Sequence, residues 1–236
     1  MITVVKNGGA TIERTIKSVL AQTFKNFEYI VLDGASTDET LEIISCYENE
    51  IDIVISENDS GIYDAMNKGI AKAQGNWIAI INSDDELDSR ALELVYAHVS
   101  AGNDIDVVYG DLLSGPNMDA RIDSDHHYLP SRMISHPATM VNSRAYQKFG
   151  KFDSNLKVAA DYEFLLRVYK AGGVFHRIDE ILAKYHVGGF SSRNWRTSIK
   201  ETLMIQYKYG FRNRKSIYLN YYFILLKTLI KGIFDK

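Results

Sequence analysis

The sequence predicts an α/β chain, a mostly parallel central sheet flanked by helices, with a helical tail at the C-terminal end. Three observations carry that expectation. Short apolar runs at residues 2–5, 29–32, 53–55 and 77–81 alternate with segments of helical period, the pattern of stacked βαβ units. Several of these runs stop in loops built from Gly, Asp, Asn and Ser. Hydrophobic residues are 46% and charged residues 24% of 236 positions, enough to bury a core and too ordinary a charge for a disordered chain.

The first strand, residues 2–5, follows Met1 directly, so no secretory leader is expected and the body is assigned to the cytoplasm. Helical period covers residues 11–22, and the strand at 29–32 runs into Asp33. Ser36 and Glu39 have the spacing of a capping box, which starts a helix over 39–47 and makes 33–38 a tight strand-to-helix loop. After the strand at 53–55, Ile62, Ala65, Met66, Gly69, Ile70 and Ala73 fall on one face of a helix over 62–73. The run at 77–81 breaks abruptly into Asn82-Ser83-Asp84-Asp85-Glu86, and a helix is expected over 89–100.

A strand at 107–109 ends in Gly110-Asp111, and the stretch from there to Pro130 is polar, acidic and aperiodic, which reads as a loop or lid. A strand at 138–141 precedes a short helix from Ser143 closed by Gly150. A helix over 161–171 is stopped by Gly172-Gly173, and strands are expected at 174–178 and 181–185. Residues 216–234 mix aromatic and aliphatic side chains with Lys227 and Lys231 and fall short of the ~20 uninterrupted apolar residues a bilayer span needs. Residues 208–236 carry seven Lys/Arg and one acid, Asp235, so a basic end follows a body of net charge −9. That end reads as a helix in the interface of an anionic membrane, or as an amphipathic helix packed on the domain or on a second subunit. Cys46 is the lone cysteine, which excludes an internal disulfide, and it reads as inert packing on a helix face.

Four loops at strand ends carry the unusual residues, and at the C-terminal edge of an open α/β sheet such loops converge on a ligand. The first is Lys6-Asn7-Gly8-Gly9 and the second Asp33-Gly34-Ala35-Ser36-Thr37-Asp38. In the second, Asp33 ends a strand, where it can accept from an imide N–H or a ribose hydroxyl, while Asp38 in a first helical turn has the helix dipole as a sufficient structural reason. In the third, Asp64, Asn67 and Lys68 stand at i, i+3 and i+4, grouped on the helix face opposite the apolar stripe. The fourth holds Asp84 and Asp85, adjacent acids that repel unless a cation lies between them, and hard divalent cations that also hold phosphate fill that role.

The strings Ser18-Val19-Leu20-Ala21-Gln22-Thr23, Glu28-Tyr29-Ile30-Val31-Leu32-Asp33-Gly34-Ala35-Ser36-Thr37-Asp38, Tyr63-Asp64-Ala65-Met66-Asn67-Lys68-Gly69 and Asn82-Ser83-Asp84-Asp85 together resemble the inverting glycosyltransferases of family 2, which have the GT-A fold. The resemblance spans residues 2–192. It implies a GT-A domain over 1–192, with a nucleotide-sugar half at 1–110, an acceptor half at 111–192 and a C-terminal segment at 193–236. By that likeness Asp33, with backbone near Val5, holds the nucleotide base, and Asp38 or Asp64 lies along the uridine and ribose. Asn7, Ser36, Asn67, Lys68 and Asn82 complete the donor set. Asp84 and Asp85 occupy the acidic motif that carries Mn²⁺ or Mg²⁺ on the diphosphate, although Asn82 stands where many members have an acid.

The same likeness makes Asp161, ahead of Leu165-Leu166-Arg167, the catalytic base, with Ala160 where members often have a second acid. From spacing alone Asp161 reads as a helix cap. His186, followed by Gly188-Gly189, is a candidate contact to the phosphates or the metal, whereas His98, His126 and His127 are discounted. The Gln-x-x-Arg-Trp string of processive members is missing, so one sugar per encounter is implied, passed to a glycan or lipid-linked acceptor of bacterial polysaccharide type. Nucleic acid is not among the expected partners. Two other readings remain open: a non-catalytic nucleotide-sugar-binding subunit, and a nicotinamide-dependent dehydrogenase, which would need the Gly-x-Gly-x-x-Gly that residues 7–12 lack.

Overall fold

The computed structural model describes residues 1–100 and 104–213. They form, in chain order, β1 (Ile2–Val5), α1 (Ile12–Leu20), β2 (Ile30–Asp33), α2 (Thr40–Ser45), β3 (Ile53–Ser56), α3 (Ile62–Lys72), β4 (Trp77–Asn82), β5 (Glu86–Leu87), α4 (Ala91–Val99), β6 (Val107–Ser114), β7 (Ala120–Ile122), β8 (Thr139–Asn142), α5 (Ser143–Phe149), α6 (Ala160–Lys170), β9 (Phe175–Lys184), α7 (Phe190–Arg193) and α8 (Trp195–Lys208). The strands make one nine-stranded sheet in the order β3-β2-β1-β4-β8-β6-β9-β5, with β7 paired to β6. β1 pairs in parallel with β2 and β4, and β2 with β3; beyond β4 the sheet turns mixed, through antiparallel β8.

The first apolar runs form parallel strands because both of their faces are covered. Ile2, Val4, Ile30, Leu32, Ile78 and Ile80 face one layer, with Tyr63 and Met66 of α3 and Tyr162 and Phe164 of α6. Val5, Val31, Ala79 and Ile81 face the other, with Ile12, Ile16 and Val19 of α1, Ile44 of α2 and Val95 of α4. Alternate residues thus serve opposite layers, as a two-residue period demands, and each fully buried Ile or Val contributes about 1.5–3 kcal/mol.

Four local expectations are corrected. The Ser36/Glu39 capping box does not form: α2 starts at Thr40, whose amide donates to Asp38 Oδ1 at 3.1 Å, while Ser36 Oγ turns back to the Asn7 amide. Residues 110–130 are not one long loop, because β6 continues through Gly110-Asp111 to Ser114 and β7 pairs with it. A register shift between Tyr109 and Asp111 absorbs the irregularity, and Gly110 lies so close beneath β9 that a Cβ would stand 2.6 Å from Leu182 Cγ. The two expected C-terminal strands are one, β9, with exposed Asp179-Glu180 in its middle rather than a turn. Cys46 is exposed at the end of α2, not packed in the core. The tail expectation over 216–234 lies outside the described residues.

Asp111, fully buried, stabilises this mixed half. It accepts from the Ser124 amide at 2.8 Å, from Arg121 Nε at 2.9 Å and from Arg177 at 3.1 Å. Burial pushes its carboxyl up, but the Ser124 amide and the two guanidinium groups outweigh that and leave it below the usual carboxylate range. A depressed folded pKa contributes stability that is complete above the unfolded value of about 3.9 and is lost as pH falls through the folded value. Asp111→Asn is therefore expected to lower stability by about 1.5–3 kcal/mol at neutral pH. The gap in melting temperature to the parent protein should narrow on acidification below about pH 4; a gap that persists unchanged down to about pH 2.5 contradicts the assignment.

Candidate active site

Register brings the acids to one edge. Val5 pairs with Asp33 and Val4 with Asn82, so β1, β2 and β4 end at the same side of the sheet, where open α/β sheets bind ligands. The first two loops are locked together. The Asn7 amide donates to Ser36 Oγ at 2.7 Å, the Thr37 amide to Asn7 Oδ1 at 2.8 Å, the Gly8 amide to Thr40 Oγ1 at 2.9 Å and the Gly9 amide to Asp38 Oδ2 at 3.0 Å. Asn7 and Ala35 sit in the left-handed region at φ 51° and 56°. Asn tolerates that conformation, whereas Ala35 carries strain of about 1–3 kcal/mol that these bonds must hold.

Asn7, Ser36 and Asp38 therefore spend their side chains on building the loop. The Thr40 hydroxyl, followed by the Gly9 amide working against burial, keeps the Asp38 carboxyl below its ordinary range.

Asp33 is different. It is 2% exposed, and its Oδ2 accepts from the Ser36 amide at 3.0 Å and Ser56 Oγ at 2.6 Å. Its Oδ1 is buried without any hydrogen-bond partner, and so is Asn82 Oδ1 two strands away. A buried carboxylate oxygen without a donor costs free energy, which a ligand N–H or O–H at this edge would relieve.

The turn after β4 is held from α1: Arg14 Nη2 donates to the Asp84 carbonyl at 2.9 Å and Thr15 Oγ1 to the Asp85 carbonyl at 2.7 Å. Asp84 is half-buried; Asp85 is 1% exposed. The His186 amide approaches Asp85 Oδ1 at 3.3 Å, and Oδ2 has no partner. Burial first, and then the neighbouring charge of Asp84, pushes the Asp85 carboxyl up to about 8. Burial raises Asp84 as well, opposed by Arg193, Arg14 and His186. The loop after β9 lies directly on this pair, and a Cβ at Gly189 would stand 1.9 Å from Asp84 Oδ2, so any larger residue there would have to displace that carboxylate. An all-oxygen donor set with one orphaned carboxylate oxygen and a half-open neighbour fits a hard divalent cation.

The other expected donor residues separate. Lys68 Nζ bonds Glu57 at 2.8 Å and the Asn58 carbonyl at 3.0 Å, and Asp64 accepts from the Ser60 amide at 3.1 Å, so this pair pins the loop between β3 and α3. Asn67 does not share their direction. Its amide is spent on the Phe152 backbone, accepting from N at 3.0 Å and donating to O at 2.9 Å, which corrects the expectation of a trio facing one enclosure. His186 Nε2 is 2.6 Å from Glu86 Oε1, a carboxylate also 3.2 Å from Arg14 Nε, which leaves Nδ1 as the ring nitrogen for any other contact.

Asp161 is the second residue of α6, yet it faces the donor half: Tyr63 at the start of α3 donates its hydroxyl to Asp161 Oδ1 at 2.9 Å. The Tyr162 amide also donates to Oδ1 at 2.9 Å, which leaves Oδ2 for a proton. His136 lies within electrostatic reach, its Nε2 buried and without a partner; burial lowers its pKa against the pull of Asp161 and keeps the ring neutral. Roles for Tyr63, Arg14 and Glu86 were not expected from the sequence. Each works through a partner distant along the chain, a relation no local pattern carries.

Asp125, His126 and His127 also bring possible metal-ligand atoms within 4.8 Å of one another. They are already engaged. Tyr109 Oη accepts from the His126 amide at 3.0 Å and shares a hydrogen bond with His126 Nδ1 at 2.7 Å, while Asp125 Oδ1 receives the His127 amide at 2.9 Å.

Comparison with known proteins identifies the family and the fold. The family model described as "Glycosyl transferase family 2" matches residues 1–171. A "PGL/p-HBAD biosynthesis glycosyltransferase" of Mycobacterium bovis is 30% identical over 195 residues, covering 79% of this chain and 76% of that protein. A glycosyltransferase of Methanocaldococcus jannaschii is 27% identical over 230 residues, covering 90% and 78%. Among solved structures, S. aureus TarS 1-349 in complex with UDP-GlcNAc superposes with a TM-score of 0.71 at 18% identity, covering 86% of this chain and 65% of that one. A mannosyltransferase from Pyrobaculum calidifontis, in complex with GDP-Man and Mn²⁺, gives 0.70 at 16% identity, covering 90% and 64%. The chain thus spans slightly less than two thirds of the length of these two solved chains.

Proposed function

Because this chain belongs to glycosyl transferase family 2 and has the GT-A fold, we propose that it transfers one sugar per encounter from a nucleoside-diphosphate sugar to an acceptor hydroxyl, with inversion. One observation carries the reading: Asp33 Oδ1 at the end of β2 and Asp85 Oδ2 in the turn after β4, the two strands that flank β1, are buried carboxylate oxygens without partners. The first suits the imide N–H of a nucleotide base. The second, beside Asp84, suits a divalent cation on the diphosphate, and the Mn²⁺ bound together with GDP-Man in the Pyrobaculum mannosyltransferase supports that assignment.

In the proposed step the acceptor O–H gives its proton to Asp161 Oδ2 as its oxygen bonds to the anomeric carbon. The bond from that carbon to the phosphate oxygen breaks, and its electron pair leaves with the nucleoside diphosphate. Tyr63 and the Tyr162 amide hold the other carboxylate oxygen, so the base is oriented before the acceptor arrives. Mn²⁺ or Mg²⁺ held by Asp84 and Asp85 would supply Lewis-acid stabilisation of the departing diphosphate. Arg14 and Arg193, near these acids, add positive charge at the same edge.

The domain is taken as 1–192 with a C-terminal segment at 193–236, and the acceptor as a glycan or lipid-linked saccharide. Among the described residues no helix is long and apolar enough to cross a membrane. Peripheral contact through 208–236 is proposed from sequence charge alone, since 214–236 lie outside the described residues.

Uracil N3–H and guanine N1–H are both ring donors beside a carbonyl, so the base is tested directly. Calorimetry with Mn²⁺ is expected to give tighter binding of UDP than of GDP, and Asp33→Asn is expected to weaken UDP binding by about 10–100-fold, the loss of a hydrogen bond to a charged group. Equal affinity of Asp33→Asn and parent contradicts the base-binding role. Release of UDP from UDP-sugars at multiple turnovers separates an enzyme from a binding subunit.

A further inference from the structure

Glu201 lies in α8, beyond the residues matched by the family model, and yet it holds the segment that presents Asp161. Its carboxylate accepts the backbone amides of Lys157 at 2.9 Å, Val158 at 2.9 Å and Ala159 at 3.0 Å. These residues lead directly into α6, and Ala159 at its N-cap has no side chain with which to satisfy a helix start. A carboxylate from another helix takes over that work and also suits the positive end of the α6 dipole. Glu201 thus takes the amides up to the N-cap, and Asp161 is left only that of Tyr162 within the first turn.

From the opposite side, the Tyr63 hydroxyl meets Asp161 Oδ1. Tyr63 is buried at the start of α3 and packs against Phe152 with ring centroids 5.7 Å apart. Burial first, and then the Asp161 charge, holds its phenol well above the ordinary tyrosine range, so the hydroxyl stays protonated and donates. α3 follows the loop that Asp64 and Lys68 pin, so one side of this contact belongs to the donor half.

We propose that Tyr63 and Glu201 are positioning residues for the base. Tyr63 fixes the rotamer of Asp161, Glu201 fixes the start of its helix, and α8 is thereby part of the working enzyme. This rests on the reading of Asp161 as the base. A displacement of about 1 Å at a reacting group costs about 10²-fold in rate, so a positioning defect appears in kcat before it appears in donor affinity.

The test uses the full chain with Tyr63→Phe, Glu201→Gln, Glu201→Asp and Asp161→Asn. Release of UDP is followed with whichever of UDP-glucose, UDP-galactose and UDP-N-acetylglucosamine turns over fastest. Tyr63→Phe and Glu201→Gln are expected to lower kcat about tenfold or more with donor KM within about twofold, and Glu201→Asp, which keeps both oxygens, to recover part of the rate. Loss of a hydrogen bond to the charged carboxylate moves the acid limb of the kcat–pH profile to higher pH in Tyr63→Phe. In an Asp161→Asn background Tyr63→Phe should add no further loss.

Unchanged kcat, or a KM that rises in step with the loss of kcat, overturns the proposal. Should Glu201→Gln unfold, Tyr63→Phe and Glu201→Asp decide. Full turnover by Asp161→Asn defeats the base assignment itself, whereas an inactive Asp161→Asn beside a fully active Tyr63→Phe defeats only the positioning role.

Discussion

Asp161→Asn is expected to lower the rate of sugar transfer by about 10²–10⁴-fold, the contribution of a positioned general base, and to leave UDP affinity within about twofold. The asparagine oxygen still accepts from Tyr63 and from the Tyr162 amide, so α6 and the donor half keep their contact. What is lost is the proton acceptor. Because the acceptor hydroxyl then attacks without a base, the defect falls on kcat and not on the donor. Steady-state rates with UDP calorimetry on the same preparation check both halves. A variant retaining more than about a third of the parent rate excludes the role, since the expected loss starts near 10².

Asp84→Ala is expected to give the second large effect, on metal and donor together. Asp84 is the half-buried acid of the pair and Asp85 lies beneath it, raised by burial and by Asp84 itself. Without Asp84 a divalent cation loses its accessible carboxylate, and the diphosphate loses stabilisation of several kcal/mol, about 10³-fold in kcat/KM at about 1.36 kcal/mol per decade. Calorimetry should find that Mn²⁺ tightens UDP binding to the parent and leaves binding to Asp84→Ala unchanged. The double change to Ala at 84 and 85 should add little, because one ion serves both acids. Mn²⁺-dependent UDP binding that survives in the double variant removes the metal from this pair.

The parts legible in the sequence are those written in local pattern. β1, β2 and β4 are buried on both faces and read as continuous apolar runs, and Asp33 and Asp84 stand where such runs stop. Local signals mislead where tertiary contacts override them. Gly110-Asp111 looks like a strand end, but the irregular register carries the glycine and two arginines neutralise the acid. Asp179-Glu180 looks like a turn, but exposed side chains let β9 run on. Asn67 has helical spacing to Asp64 and Lys68, and still its amide is taken by a backbone 85 residues away. Tyr63 is 98 residues from Asp161, and Glu201 is 42 residues from Ala159, separations over which no sequence period speaks.

A crystal structure of the protein with Mn²⁺ and a non-hydrolysable UDP-sugar decides whether Asp33, Asp84 and Asp161 serve one donor. The expected result is the uracil imide N–H on Asp33 Oδ1, the ion between the diphosphate and Asp84, and Asp161 Oδ2 on the face of the anomeric carbon opposite the leaving phosphate. A nucleotide bound away from Asp33, or an Asp161 carboxylate separated from the anomeric carbon by protein, contradicts it.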